Sequence, residues 1–241
     1  MVNELIAYCG PAAVPEDVWL RWNTDPVLIA ALAALAYCVA RRATNKHAGW
    51  AAIALMAVVF ISPLCALSSA LFSVRVLHHV ILVSAAAPLL ALAFPQRRAG
   101  VVPLALLVAA HAVALWVWHA PGPYAWGLAT VAGYWLMQVT LLGSAWWMWR
   151  AILSNTTPNG SALVALAVTV GQMGLLGALI VFASVPLYPV HFASTLEWGF
   201  TPLSDQQLAG LLMWVPAMLP YLATGLWLAW TSLRPNTEVA L

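Results

Sequence analysis

The chain has 241 residues, 64% of them hydrophobic and 7% charged, with a formal net charge of +2. A soluble domain carries about 25% charged residues, so this composition excludes a surface that faces mainly water, and the small charge excludes nucleic acid as a partner. The apolar runs are continuous and lack period-two alternation, which excludes a membrane β-barrel and leaves an all-α integral membrane protein.

In chain order, residues 1–25 mix Glu4, Glu16, Asp17, Arg21 and Asp25 with Pro11, Pro15 and aromatics. They form an extramembrane arm, with Trp19 and Trp22 suited to the membrane interface. The N-terminus has no basic segment before an apolar run and no cleavage pattern, so no removable signal peptide is expected. Cys9, Cys38 and Cys65 are an odd, widely spaced set without a CxxC, and a disulfide framework is not expected.

A membrane domain follows over 26–232, then a short tail at 233–241. Seven apolar spans are expected at about 26–40, 48–70, 76–94, 101–119, 126–149, 161–185 and 206–232, each near the length that crosses hydrocarbon. With seven spans, one face holds Arg41, Arg42, Lys46, Arg97, Arg98, Arg150 and Arg234, and the other only Arg21 and Arg75. The positive-inside rule puts the first group in the cytoplasm, the N-terminus outside and the C-terminus inside. All carboxylates except Glu238 then fall outside. The bacterial inner membrane, multi-pass, is the expected location, with membrane lipid as the surrounding partner.

Other features are first of all packing features. Gly171, Gly174, Gly177 and Ala178 form a small-residue seam that permits close helix approach. Trp146, Trp147 and Trp149 fit an interfacial aromatic belt. Ser204-Asp205-Gln206-Gln207 fits a capping box with Ser204 as the N-cap.

Five of six histidines fall in the outer half. His78 and His79 open the third span, His119 closes the fourth, His111 lies about 12 Å deeper on that helix, and His191 sits in the last outer loop. Adjacent histidines point about 100° apart on a helix, so His78 and His79 do not share one face. Met213, about two turns into the last helix, and Cys65 add soft donors. Imidazole with thioether or thiolate suits copper, and Cu(I) above all. Each has a plainer reading beside it: His78 wetted at the interface, His111 bonded to a carbonyl, Met213 as core filler, Cys65 as a small buried hydrophobe. Arg75 is costly near lipid, and pairs with Asp205 or anchors at the headgroups. No nucleophile, zinc-protease or phosphate-loop pattern is present, so the protein is expected to be no enzyme. His119-Ala120-Pro121-Gly122-Pro123-Tyr124 is a rigid outer turn.

Three stretches together resemble the CtaG family, the seven-helix type linked to cytochrome c oxidase assembly. They are Leu71 to Leu90, Leu115 to Tyr124 with its Trp-His-x-Pro-x-x-Tyr order, and Leu176 to Trp214 with Asp205-Gln206-Gln207 and Gly210-Leu211-Leu212-Met213-Trp214. The likeness runs from the second span to the seventh. The resemblance implies copper delivery to, or maturation of, a haem-copper oxidase at the outer face. His79, His119 and Met213, with His78, His111 and His191, would be the metal ligands, and Arg75, Tyr124, Asp205 and Gln206 further functional positions. The chain departs from the pattern at Arg75, where the family opens its third helix with a histidine, and at Gln138, where it tends to carry histidines. Those departures keep open a metal-free scaffold or resident subunit bound to oxidase subunits. A copper transporter ranks last, because the inner half offers only Gln138 and Gln172.

Overall fold

Helix boundaries in this chain follow its capping residues. The computed structural model describes residues 8–233. Helix α1 (Pro26–Arg42) starts where the Asp25 carboxylate accepts the Val27 N–H, with proline at the first helical position and Arg41 and Arg42 in the last turn. Asn45 caps α2 (Lys46–Ile61) through the Ala48 N–H. Ser62-Pro63 breaks the helix, and α3 (Leu64–Ala70) continues at a 50° bend. Helix α4 (Phe72–Val80) runs through a π-helical turn, Ile81–Ala86, into α5 (Ala87–Ala93), making one span of 22 residues. The π turn precedes Pro88, which has no N–H to give and would crowd the Ser84 carbonyl in a regular helix. The carbonyl of Val83, inside that turn, instead receives the Trp149 indole N–H at 3.1 Å.

Helix α6 (Leu104–His119) ends before Pro121, and α7 (Pro121–Ala129) leaves at 78°. Then come α8 (Val131–Ile152), capped by Thr130, and α9 (Asn159–Phe182). A loop with a short α10 (Phe192–Glu197) leads to α11 (Pro202–Trp214) and, past Pro216, α12 (Leu219–Leu233). Helix α8 is central, packed by α5, α6 and α7 and burying Tyr134, Met137, Gln138, Leu141, Ala145, Met148 and Trp149. Helix α11 lies against α9 and α4.

Several expectations change. Among the described residues, three helical runs are long and apolar enough to cross a membrane by length and composition, or five if each bent pair is one span, so the seven spans expected from the sequence belong to the proposal below. Helix α1 has 17 residues, and α8, which its neighbours shield, includes Gln138, Thr140, Ser144 and Arg150. Trp149 is fully buried, so it is a core residue and not part of an interfacial belt, whereas Trp147 is exposed. Helix α11 starts three residues early: Thr201 is the N-cap, and Ser204 completes the reciprocal capping box. The glycine seam holds at Gly177, where a Cβ would meet the Gly210 carbonyl at 3.1 Å, but Gly171 faces open space.

The largest correction concerns the cysteines. Cys9 and Cys65 form a disulfide across 56 residues, and Cys38 is free. The arm is thereby tied over α3, and the Trp198 indole N–H donates to the Ala13 carbonyl at 3.0 Å. Trp19 and Trp22 stay exposed, as an interfacial arm requires. Glu4, Arg234, Glu238 and the tail lie outside the described residues.

Candidate functional site

The N-terminal end of α4 is set by a carboxylate from another helix. Asp205 accepts the backbone N–H groups of Phe72, at 2.7 Å, and Ser73, at 3.2 Å, and also the Ser73 hydroxyl. It therefore caps α4 across the α4–α11 contact, where negative charge is favoured. Arg75 does not pair with it: the only ion pair among the described residues is Arg21–Asp17, at 2.6 Å. Gln206 is equally committed. Its Oε1 accepts the Leu187 N–H at 2.6 Å and its Nε2 donates to Ile180 and Val185 carbonyls, tying the end of α9 to the loop.

Below this cap the histidines meet. His79 and His119 face each other edge-on, ring centroids 5.6 Å apart, and His78 lies 5.8 Å from His79 on the other side. All three are buried. His119 Nδ1 lies 2.7 Å from the Leu115 carbonyl, so this nitrogen carries the proton and donates. Its Nε2 is then a lone pair, buried and without a partner. A carbonyl-oriented imidazole with one free nitrogen is how proteins prepare a metal ligand. His79 is contacted at Nε2 by the Gln138 amide at 3.5 Å and keeps a partnerless Nδ1. Met213 lies eight residues past Asp205 on α11, about 12 Å along that helix at 1.5 Å per residue, and α11 packs against α4. Met213 is buried in the core.

Two predicted ligands stand elsewhere. His111 turns to α8, with Nδ1 3.0 Å from the Ser144 hydroxyl. His191 lies in the loop between α9 and α11, where the Tyr124 hydroxyl is 2.6 Å from its Nε2. Among the described residues no three His, Cys, Asp or Glu side chains gather as a metal cage. The arrangement offers a pair of facing imidazoles.

Arg75 sits beside that pair, fully buried, its guanidinium 5.3 Å above the Tyr134 ring. Tyr8 of the arm stacks on the opposite neighbourhood of Tyr134 at 4.7 Å, and the Tyr134 hydroxyl lies 3.6 Å from the Cys9 sulfur. The disulfide and Tyr8 thus roof the Arg75–Tyr134 layer. Phe72, Tyr188 and Tyr124 form the adjoining aromatic wall, with Phe72 and Tyr188 stacked at 3.7 Å. The Tyr188 hydroxyl donates to the His119 carbonyl at 2.7 Å, which fixes the end of α6.

Outside the spans, two carboxylates of the arm are lowered by their hydrogen-bond partners. The Arg21 guanidinium keeps the Asp17 carboxyl below its usual value of 3.8, and the Tyr8 hydroxyl, at 2.5 Å, does the same for Asp25. Burial, then the Asp25 hydrogen bond, pushes the Tyr8 phenol up.

The description of the cytochrome c oxidase caa3 assembly factors (Caa3_CtaG) matches residues 30–235. The chain belongs to that family. No curated protein and no solved structure matches it. The family match takes in every histidine singled out, Arg75 and Asp205, and leaves out the arm with Tyr8 and Cys9. The layer of Tyr8, Tyr134 and the disulfide was missed in this assembly-factor sequence, although a signal for it existed. The charge bias puts Cys9 and Cys65 on one side and Cys38 near the other, which is a pairing pattern hidden by an odd count.

Proposed function

We propose that this caa3 assembly factor holds copper(I) transiently at the His79–His119 pair and passes it to a haem-copper oxidase subunit at the outer membrane face. The observation that carries the reading is the His119 ring, whose Nδ1 is spent on the Leu115 carbonyl while the buried Nε2 points its lone pair at nothing else. His79 faces it, and Met213 on α11 is the soft donor. Copper is cargo here, and an incomplete set of ligands favours hand-over by ligand exchange. Seven spans with the N-terminus outside are part of the proposal. The side-to-side bias of lysine and arginine supports it, and so does a disulfide in the arm, since such bonds persist in oxidising compartments.

The test is metal analysis of protein purified under reducing conditions. Wild type is expected to carry copper, and His79→Ala and His119→Ala to lose most of it. Copper-free wild type ends the cargo reading.

One observation favours a second reading, a metal-free scaffold that docks oxidase subunits: among the described residues no three His, Cys, Asp or Glu side chains form a metal cage, and a cation, Arg75, stands beside the imidazoles. That reading expects co-purification with oxidase subunits at fixed stoichiometry, unchanged by His79→Ala.

A further inference from the structure

Arg75 poses a problem that no other described residue solves. It has no solvent exposure, and its Nε, Nη1 and Nη2 all lack hydrogen-bond partners. Guanidinium does not lose its proton in proteins. A buried charge without a partner is among the most destabilising arrangements in a fold, and five N–H donors without acceptors add to it. The face of the ion has Tyr134. The polar groups nearest its edge, the Tyr124 and Tyr134 hydroxyls, are neutral, and the charge has no anion beside it.

The carboxylate of the helix packed against α4 is taken. The Asp205 oxygens serve Phe72 and Ser73. The positive charge of Arg75 is felt at His78, His79, Tyr124, Tyr134 and His191, none of them an anion in this setting. Several of these groups are themselves short of partners. Both ring nitrogens of His78 are free, as is Nδ1 of His191. Each neutral imidazole brings one N–H and one lone pair, and a tyrosine hydroxyl both donates and accepts. The enclosure therefore holds donors that an anion can use, carries one fixed positive charge with no negative one, and is roofed by Tyr8 and the disulfide.

We infer that the guanidinium edge of Arg75, with the ring of His78 beside it, is an internal site for a small monovalent inorganic anion of the halide class. Arg75, His78, Tyr124 and Tyr134 are all fully buried, so a carboxylate presented by a partner chain does not reach the guanidinium in this arrangement. The anion supplies both the missing acceptor and the missing charge. The inference does not depend on copper at His79 and His119.

The experiment follows thermal unfolding of the purified full chain in detergent by tryptophan fluorescence. Sodium bromide is titrated against sodium gluconate at constant ionic strength. In wild type the midpoint is expected to rise with bromide, by roughly 3–6 °C for each tenfold step above Kd. Arg75→Gln is expected to abolish the bromide dependence, and Arg75→Lys, which keeps the charge, to retain part of it. Equal midpoints in the two salts, or a bromide dependence that survives in Arg75→Gln, overturn the inference. Should Arg75→Gln fail to fold, wild-type crystals soaked in bromide decide. An anomalous peak within hydrogen-bonding distance of the guanidinium supports the site. Only water there at saturating bromide overturns it.

Discussion

Asp205 shows how a single side chain ties function to folding in this molecule. It belongs to α11 yet caps α4, the helix that carries Arg75, His78 and His79. Replacing it with alanine leaves two buried backbone N–H groups without an acceptor. Asp205→Ala is expected to destabilise the protein by about 1–3 kcal/mol, seen as a lower unfolding midpoint, and to reduce copper retention with His79 and His119 both intact. The arm gives a pH prediction. Tyr8 and the Val27 N–H lower the Asp25 carboxyl below 3.8, so the folded state binds its proton less readily than the unfolded chain. That stability is present above the unfolded value and is lost as pH falls through the lowered one. Tyr8→Phe should move the acid limb of a stability–pH curve to higher pH, and an unmoved limb would separate Asp25 from this role. The identities of these residues were legible in the sequence, and their partners were not. Ser204 looked like a cap by local spacing, but Thr201 lies before Pro202 and wins because proline prefers the first helical turn.

At the scale of elements, the α9–α11 crossing is a backbone contact. A Cβ on Gly210 would lie 2.7 Å from the Gly177 carbonyl and 2.6 Å from Val181. Gly210→Ala is expected to cost about 1–3 kcal/mol through forced separation of the helices. Gly171→Ala, where a Cβ meets nothing within 4 Å, should be neutral or slightly stabilising, since alanine favours helix. Unfolding midpoints of the two variants check the contrast. The crossing also positions the cap, because Asp205 lies a little over one turn before Gly210. The small-residue seam was legible from its spacing; which of its glycines touches α11 was not, since spacing gives a face and not its neighbour. The same holds for α8. Its polar residues made it look an ordinary span with aromatic ends, whereas its position between α5, α6 and α7 lets it keep Gln138 and Ser144 inside and bury Trp149.

For the whole molecule, the all-helical membrane character was legible, because composition and run length reflect the solvent directly. The bends were half legible: Pro63 and Pro121 announce breaks, but the angles of 50° and 78° depend on packing. The arm was least legible, since a contact across 56 residues leaves no periodic trace. Its chemistry gives a direct measurement. In denatured but unreduced protein, maleimide is expected to label one cysteine, Cys38, and after reduction three. Cys9→Ser should lower stability by about 2–4 kcal/mol, read as a drop in unfolding midpoint. Labelling of three sites without reductant would remove the bridge.

That bridge closes a ring of chain in which α1 and α2 are both enclosed. In the topology proposed above, the two sulfurs meet once the hairpin has gone across and come back, leaving residues 9 and 65 on the same side. A chain that inserts just one of the two helices would part its cysteines by the thickness of the bilayer and stay reduced. Oxidation of Cys9 with Cys65 is then expected to record insertion of both helices, and a shift on a non-reducing gel reads it.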